Sequence, residues 1–172
     1  MLKSALQNWL WGPWSRLGLS IAVAVLVVDQ AHKWWMLGAY RIQDKGRVAL
    51  TSFLDQVFVC NKGISYGVGA GQISPVMLAL FAALAAVAMT VWMARAATGG
   101  LMAASIGLIV GGAIGNGIDR LSIGCVADFF SLHAYGFYWY VFNIADVAIV
   151  AGVAGLLYDS FAPSRKGAVK TP

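Results

Sequence analysis

Charged residues are scarce in this sequence. They make up 11% of the 172 residues, whereas hydrophobic residues make up 60%. Soluble domains carry about 25% charged residues, so a deficit of this size excludes a soluble globular domain. The composition therefore predicts a polytopic membrane protein.

Several other residue types are rare or missing. Glutamate is absent, so all seven acidic residues are aspartates, a bias that nothing in the sequence explains. Two cysteines and two histidines are present, and they form no cluster with metal-ligand spacing. No glycine-rich loop of the phosphate-binding type occurs either, so we expect no metal and no cofactor. Cys60 and Cys125 permit one disulfide without requiring it.

The net charge of +5 is concentrated at the two ends of the chain. The basic residues there are Lys3, Arg16, Arg165, Lys166 and Lys170. Basic termini beside membrane spans indicate contact with anionic membrane lipid. No basic groove interleaved with aromatic residues is present, so we expect no nucleic-acid partner.

Four apolar runs are long enough to cross a bilayer, which takes about 20 residues. They cover approximately residues 16–37, 74–94, 101–118 and 140–161 and predict one polytopic domain over 1–172. Residues 17–28 have the length of a signal-peptide core, but Asp29 follows where a small-residue cleavage site would be needed, so we predict a retained helix. Of the two long loops, 38–73 and 119–139, the first contains β-like runs at 48–52 and 56–60, separated by Asp55.

Two aspartates stand out in this apolar chain. Asp146 lies inside the fourth run, where a carboxylate costs roughly 2.5–3.5 kcal/mol on insertion scales. Asp128 lies 18 residues earlier. Two aspartates brought together at a membrane surface are the minimum equipment for aspartyl hydrolysis. A paired or capped structural acid is the alternative reading of Asp146.

Aromatic belts predict the depth of two acids. Trp34 and its neighbours close the first run, and Tyr140 and its neighbours open the fourth, so both belts mark one interface. Asp29 is five residues from Trp34 and Asp146 is six from Tyr140. At ~1.5 Å per residue both acids would lie about 8–9 Å beneath their belts, as parts of one site.

Two pairs of polar residues are predicted to share helix faces. Asp29 and Lys33 are four residues apart and can form an ion pair, which either lets the helix end tolerate charge or supports the site from the first helix. Asn143 and Asp146 are three apart and are predicted to face the same way on the fourth helix.

Glycines recur at every fourth position of the third run, at Gly107, Gly111 and Gly115. Small residues at this spacing let helices pack closely. The polar residues that this packing should bring beside neighbouring helices are Asn116, Asp119 and Arg120. Asp119 and Arg120 can also form an ordinary ion pair at the interface.

The segment from Asn61 to Gly63 follows a β-like run and is typical of a turn. A buried asparagine amide there offers a donor and an acceptor, which suits the orientation of a carboxylate or an extended peptide. His133 has no nucleophile or metal partner placed with it, so we predict a loop or interfacial residue.

Five motifs occur in order along the chain. They are Asp29-Gln30-x-x-Lys33, Asn61-x-Gly63, Gly111-Gly112-Ala113-x-Gly115-Asn116-x-x-Asp119-Arg120, Val126-x-Asp128-Phe129 and Phe142-Asn143-x-Ala145-Asp146. In order, spacing and four-span layout, nearly the whole chain resembles the lipoprotein signal peptidase (signal peptidase II) family. The sequence departs from the family pattern at Ile64-Ser65-Tyr66, where Ala-Ala-Phe is frequent, and at Cys125-Val126-Ala127, where bulkier β-branched residues are usual.

The resemblance implies a function and a site. The function is that of a bacterial inner-membrane aspartyl endopeptidase, which cuts diacylglyceryl-modified prolipoproteins just before the lipidated cysteine. The catalytic pair would be Asp128 and Asp146. The residues that would surround this pair, bind substrate or shape the site are Asp29, Lys33, Asn61, Gly63, Asn116, Asp119, Arg120 and Asn143.

The resemblance also implies a fold. It is an all-α membrane protein with four transmembrane helices, a small extracytoplasmic β-sheet cradle and a short periplasmic helix over the active site, the last two formed by the loops 38–73 and 119–139. A monomer with cytoplasmic termini is expected. Charge alone does not orient the chain, because the 12 basic residues divide six and six between the two sides.

The alternative function is non-enzymatic: a small four-helix transporter coupled to protons or ions, or a lipid-binding membrane subunit. Its buried acids would form a relay spread through the depth of the membrane. The acids predicted here gather near one interface instead, which favours chemistry at a surface.

Overall fold

The computed structural model describes residues 11–63 and 73–161. Within these ranges, four helices are long and apolar enough to cross a membrane. They are α1 (Ser15–Trp34), α3 (Pro75–Ala96), α4 (Gly100–Ser122) and α5 (Ile144–Phe161). Between α1 and α3 lie a π-helical turn, Trp35–Ala39, which continues α1, and a short helix, α2 (Ile42–Lys45). The predicted number of spans is confirmed, and the four helices cover the predicted apolar runs except at the start of the fourth.

The fourth span does not begin at residue 140 as predicted. Phe137–Phe142 forms a strand, β4, and α5 begins only at Ile144. The run consists of aromatic and β-branched residues, which favour an extended chain. Asn143 therefore precedes the helix, and Asp146 lies in its first turn. The depth calculated for Asp146 from a helix beginning at Tyr140 is wrong for the same reason.

Both long loops contribute to a four-stranded antiparallel sheet with the order β1-β2-β3-β4. Its other strands are β1 (Val48–Ala49), β2 (Leu54–Asn61) and β3 (Val126–Ala134). The strands predicted in the first loop are confirmed, but Asp55 lies inside β2 and does not separate two strands. Tyr135 and Gly136 join β3 to β4 with φ values of 50° and 78°, which suit a two-residue hairpin turn.

A short helix, α2, lies in the first loop and packs against β2 and the π-helical turn. The expected short helix over the active site stays a prediction. Residues 64–72, which include the divergent Ile64–Tyr66 segment, lie outside the described residues. Among the first-loop residues that the structure describes, Asn61 and Gly63, at the end of β2, hydrogen-bond with Asp128 and Arg120.

α4 is the central helix and packs against α1, α3 and α5. A Cβ atom at Gly111 would lie 2.5 Å from the carbonyl oxygen of Ala22 in α1. A Cβ atom at Gly112 would lie 2.5 Å from the carbonyl oxygen of Ala145 in α5. Because any side chain would push these helices apart, the predicted packing role of the glycines on this helix is confirmed.

The outer surface of α3 carries large apolar side chains. Phe81 is 76% exposed and Leu84 is 69% exposed. A continuous apolar surface of this kind is stable against lipid and unfavourable in water. Together with the four long apolar helices, it identifies a multi-pass membrane protein.

Candidate active site

The predicted site residues come together at one end of the helical bundle. Hydrogen bonds there connect α1, α4 and the start of α5 to each other and to the adjoining ends of β2 and β3. The bonded residues are far apart in sequence, so this end of the molecule is built by tertiary contacts.

Asp128 is the buried acid of β3, with 1% of its surface exposed. Its Oδ1 accepts a hydrogen bond of 2.6 Å from Asn143 Nδ2. Its Oδ2 accepts one of 3.2 Å from Asn61 Nδ2, at the end of the neighbouring strand β2. Both carboxylate oxygens thus have amide donors, which hold the side chain in one orientation.

Asp146 and Asn143 cap the start of α5 reciprocally. The backbone N–H of Asp146 donates to Asn143 Oδ1 at 2.9 Å, and the backbone N–H of Asn143 donates to Asp146 Oδ2 at 3.2 Å. This arrangement is that of a capping box, with aspartate in place of the usual glutamate. The alternative reading of Asp146 as a capped acid is therefore correct in part, but the cap leaves Oδ1 for other partners.

Asn143 consequently contacts both acids. Its side-chain amide donates to Asp128, and its backbone N–H donates to Asp146. A single residue between β4 and α5 therefore brings the two carboxylates to the same place, as the sequence predicted. Its own position is different from the prediction, since it precedes the helix as its cap and does not belong to the helix.

Asn116 of α4 joins this pair to a buried cation. Its Nδ2 donates to Asp146 Oδ1 at 2.8 Å. Its Oδ1 accepts from Asn143 Nδ2 and from Lys33 Nζ, each at 3.1 Å. Because the oxygen faces two donors, the amide is held with its nitrogen toward Asp146.

Lys33 is 3% exposed and lies between two carboxylates. Its Nζ is 2.8 Å from Asp29 Oδ2 and 2.8 Å from Asp119 Oδ2. Together with Asn116, these partners use all three ammonium donors. The predicted Asp29–Lys33 pair is confirmed, whereas the alternative pairing of Asp119 with Arg120 is wrong because Asp119 faces α1.

The two carboxylates of this cluster also hold neighbouring elements. Asp29 Oδ1 accepts the backbone N–H of Ala145 at 3.0 Å, which fixes the first turn of α5. Asp119 Oδ2 accepts the backbone N–H of Ala127 at 3.1 Å, next to Asp128. A Cβ atom at Gly115 would lie 2.6 Å from Asp29 Oδ2, so glycine is needed for the carboxylate to fit.

Arg120 reaches in another direction, to the end of β2. Its Nη1 donates to the carbonyl oxygen of Asn116 at 3.1 Å, and its Nη2 donates to that of Gly63 at 3.0 Å. The buried Nε has no hydrogen-bond partner among the residues that the structure describes. Asn61 Oδ1 accepts the backbone N–H of Gly63 at 3.0 Å, which confirms the predicted turn. Through Gly63, Arg120 is linked to Asn61, the residue that donates to Asp128 Oδ2.

The electrostatic environment of Asp128 favours its protonated form. Burial and, second to it, the negative charge of Asp146 raise the pKa of Asp128 to about 7. Hydrogen bonds from Asn61 and Asn143 and the charge of Lys33 act in the opposite direction. Asp128 therefore exchanges its proton near neutral pH, which suits a group in acid–base catalysis.

A cavity of about 270 Å³ adjoins this site. Its polar wall is formed by Asn61, Asn116, Arg120 and Asp146. Its apolar wall includes Ala82 of α3, Ala113 of α4, and Ile149 and Val150 of α5. A bound chain with polar backbone and apolar side chains would find partners on both walls.

Some contributors were not predicted. Gln30 Nε2 donates to Asp119 Oδ1 at 3.0 Å and to the Gly115 carbonyl oxygen at 3.2 Å, so it supports the ion cluster. Its place in the first motif, beside Asp29, was the available signal. The backbone N–H of Ala145 could not be identified in this way, because any residue supplies one.

Two further features lie near the site without joining it. His133 was predicted to be a loop or interfacial residue without a nucleophile or metal partner. It lies instead in strand β3, 3.1 Å from Asp55, which also pairs with Arg47 at 2.8 Å. This cluster ties β2 to β3 on the sheet. Cys60 and Cys125 form a disulfide, a pairing that the sequence left open. In the described part of the chain, no three His, Cys, Asp or Glu side chains are grouped so as to hold a metal ion.

Comparisons with known proteins show which family and which solved structure the chain resembles. A sequence model of the signal peptidase (SPase) II family matches residues 21–162. The lipoprotein signal peptidase of Rhodopseudomonas palustris (strain TIE-1) is 49% identical over 163 residues, which cover 91% of this chain and 98% of that protein. The lipoprotein signal peptidase of Nitrobacter hamburgensis is 48% identical over 168 residues, which cover 91% of this chain and 98% of that protein. A solved structure of a bacterial membrane enzyme, determined by the in meso method at 2.3 Å, superposes with a TM-score of 0.73 at 28% identity, covering 87% of this chain and 92% of that one.

Proposed function

The chain belongs to the signal peptidase II family, and we propose that it removes the signal peptides of prolipoproteins by aspartyl hydrolysis, with Asp128 and Asp146 as the catalytic pair. The observation that carries the assignment of the pair is the position of Asn143, which donates to both carboxylates beside the cavity. Two carboxylates that accept hydrogen bonds from one residue lie close together, and such a pair shares a proton near neutral pH, as in aspartic proteases.

The reaction uses the pair and one water molecule. The ionised carboxylate takes a proton from water, and the oxygen of that water bonds to the scissile carbonyl carbon. The protonated carboxylate gives its proton to the carbonyl oxygen, which forms a tetrahedral intermediate. When the C–N bond breaks, the amine leaves with a proton returned by the pair, and the signal peptide leaves as a carboxylic acid. The roles of the two aspartates are not assigned separately, because the titration belongs to the pair.

The surrounding residues have supporting roles in this proposal. The amides of Asn61, Asn116 and Asn143 donate to the carboxylates and stabilise the ionised one. Lys33 supplies a positive charge one amide away from Asp146. Arg120 lines the cavity and binds a carbonyl oxygen of the substrate backbone there.

The substrate is a prolipoprotein whose lipobox cysteine carries diacylglycerol, cut just before that cysteine. The apolar wall between α3 and α5 suits the side chains of a signal peptide. A diacylglyceryl group would remain in the bilayer and hold the scissile bond at the depth of the site, since each buried methylene contributes about 0.8 kcal/mol to anchoring. The reaction requires no cofactor and no second subunit, so we propose a monomer.

The orientation belongs to the same proposal. We place the protein in the bacterial inner membrane with cytoplasmic termini and the site toward the periplasm. The disulfide supports this orientation, because disulfides persist in oxidising compartments and the bond joins Cys60 in β2 to Cys125, directly before β3, on the side of the molecule that carries the site.

The transporter alternative is not favoured. A relay would need acids spaced through the depth of the bilayer. Asp29, Asp119, Asp128 and Asp146 instead form one hydrogen-bonded group.

The catalytic assignment is tested by incubating the purified enzyme with a lipidated precursor and following the shorter product. Asp128→Asn and Asp146→Asn should each remove cleavage, because asparagine cannot take up or share the proton. Asp44→Asn is the matched control, since Asp44 is exposed and pairs only with Arg41 among the described contacts. Substantial turnover by a folded Asp128→Asn or Asp146→Asn enzyme would refute the pair.

The lipid requirement is tested with matched precursors, with and without diacylglycerol, and detergent-solubilised enzyme. The precursor without lipid should be cut very poorly. Similar efficiency for both would mean that the enzyme recognises the peptide alone.

The orientation is tested by labelling cysteines introduced at Lys45 and Arg95 in intact cells. Labelling from the periplasmic side should reach position 45 and not position 95. The reverse pattern would place the site in the cytoplasm and exclude exported precursors as substrates.

A further inference from the structure

A disulfide joins Cys60, near the end of β2, to Cys125, directly before β3. The two Cα atoms are 5.5 Å apart, and the cysteines are separated by 65 positions in sequence. Neither cysteine has a part in the hydrolysis described above. We propose that this disulfide is a positioning element of the active site, which holds the turn from Asn61 to Gly63 against Asp128 and Arg120. The proposal rests on the assignment of Asp128 to the catalytic pair.

The end of β2 is weakly held by strand pairing alone. The register between β2 and β3 is interrupted between Gln56 and Val59. Beyond this irregularity the strands continue through the pairs Val59–Asp128, Cys60–Ala127 and Asn61–Val126, and then β2 ends. A short ladder beyond a bulge opens more easily than the middle of a strand. The disulfide closes the strands at this end.

The turn held in this way contacts two functional groups. Asn61 Nδ2 donates to Asp128 Oδ2 at 3.2 Å, and Asn61 Oδ1 accepts from the Gly63 N–H at 3.0 Å. The carbonyl oxygen of Gly63 in turn accepts from Arg120 Nη2 at 3.0 Å. Opening the last pairs of β2 would therefore weaken the support of Asp128 and of Arg120 together.

The location of the cysteines suits this role. Cys125 is 2% exposed and lies three residues before Asp128, whereas Cys60 is exposed and directly precedes Asn61. The bond thus links the start of the buried strand β3, which carries Asp128, to the exposed end of the neighbouring strand β2. In this chain, the covalent link restrains Asn61 where β-strand pairing ends.

The proposal makes a kinetic prediction that differs from simple loss of stability. The hydrogen bond from Asn61 lowers the pKa of Asp128, so its loss should raise that pKa above about 7. The alkaline limb of the kcat profile, where the pair loses its last proton, should then move to higher pH by about half a unit to one unit. The plateau value of kcat, on the acid side of this limb, should fall by about three- to tenfold, because Asp128 and Arg120 are no longer held in place.

The experiment compares Cys60→Ala with wild-type enzyme that has been reduced with tris(2-carboxyethyl)phosphine. In the reduction the S–S bond breaks, the phosphine gives up two electrons and takes oxygen from water, and two thiols form. Both samples should show the same fall in kcat and the same shift of the alkaline limb. The phosphine should have no further effect on Cys60→Ala. If Cys60→Ala does not accumulate, the reduced wild-type enzyme provides the same measurement.

Two further variants distinguish positioning from a general structural effect. In an Asn61→Ala background, Cys60→Ala should have little additional effect on kcat, because the group that the disulfide holds is already missing. Leu132→Ala alters the same two strands on the other side of the irregularity and leaves the disulfide intact. It should lower the melting temperature without moving the alkaline limb.

The proposal is overturned if loss of the disulfide lowers the melting temperature but leaves kcat and the alkaline limb unchanged. Full additivity with Asn61→Ala would overturn it as well. Asp128→Asn separates this result from the proposed function: if that variant is inactive while the reduced enzyme behaves like wild type, only the role of the disulfide is wrong.

Discussion

Replacing Asp128 by asparagine should change how the stability of the folded enzyme depends on pH. The pKa of Asp128 is raised from 3.8 to about 7 by burial and by the charge of Asp146. In the wild-type protein this group therefore favours the folded state below about pH 4, and the advantage is lost as the pH rises to about 7. Asparagine does not titrate, so the variant has no such loss.

The size of the effect follows from the shift. About three pKa units at 1.36 kcal/mol each correspond to ~4 kcal/mol between about pH 4 and pH 8. A constant penalty is superimposed, because Asn61 and Asn143 both donate to Asp128 and an asparagine NH2 group would face one of them. That mismatch costs about 1–3 kcal/mol at every pH. Relative to the wild type, the free energy of unfolding of the variant should therefore rise by ~4 kcal/mol between about pH 4 and pH 8.

The assay is unfolding of the purified protein in mixed micelles of dodecyl maltoside and sodium dodecyl sulfate, repeated at several pH values. Asp44→Asn provides the control, because its exposed carboxylate should give no comparable trend. A difference between Asp128→Asn and wild type that stays constant within about 1 kcal/mol would refute the reasoning. It would mean that Asp128 is already ionised in the folded protein well below neutral pH.

Three other substitutions test the residues that support the pair. Arg120→Lys should lower kcat/KM about tenfold or more, because an ammonium cannot reproduce the fixed planar geometry in which the guanidinium donates to two carbonyl oxygens; near-normal kinetics would show that the bridge is unimportant. Lys33→Met should destabilise the protein by about 3–5 kcal/mol, since it leaves two buried carboxylates without a cation, and a normal unfolding midpoint would contradict this. Gly112→Ala should cost about 1–3 kcal/mol and reduce turnover by pushing α5 away at Ala145, whereas unchanged turnover would show that α5 tolerates the shift.

The sequence by itself was sufficient to identify the spans and the candidate residues. Four apolar runs predict four crossing helices, because bilayer thickness sets the length of a hydrophobic helix. Local spacing was also informative: Asp29 and Lys33 share a helix face, and their predicted ion pair is present at 2.8 Å. The apolar setting drew attention to Asp128 and Asp146, and the motif resemblance assigned them to one catalytic pair, which no periodicity connects.

Local reasoning was wrong where a strand replaced a helix. Aromatic and β-branched residues are apolar enough to extend a predicted span, so hydropathy alone placed the start of α5 at Tyr140. Pairing of β4 with β3 draws these residues into the sheet and leaves Asn143 as the cap of the helix. The cap, and not a shared helix face, puts Asn143 beside both carboxylates.

The choice of partners was decided only by the tertiary structure. Asp119 is followed directly by Arg120, yet it pairs with Lys33 of another helix at 2.8 Å. Adjacent residues on a helix point in different directions, whereas glycines on α4 let α1 approach closely enough for its lysine to reach the carboxylate. The orientation of the Asn116 amide and the pairing of Cys60 with Cys125 depend in the same way on groups brought together from distant parts of the chain. Sequence determines which groups are available and where the chain can cross a membrane, but the donor that each buried acceptor meets is set by how closely the helices and strands pack.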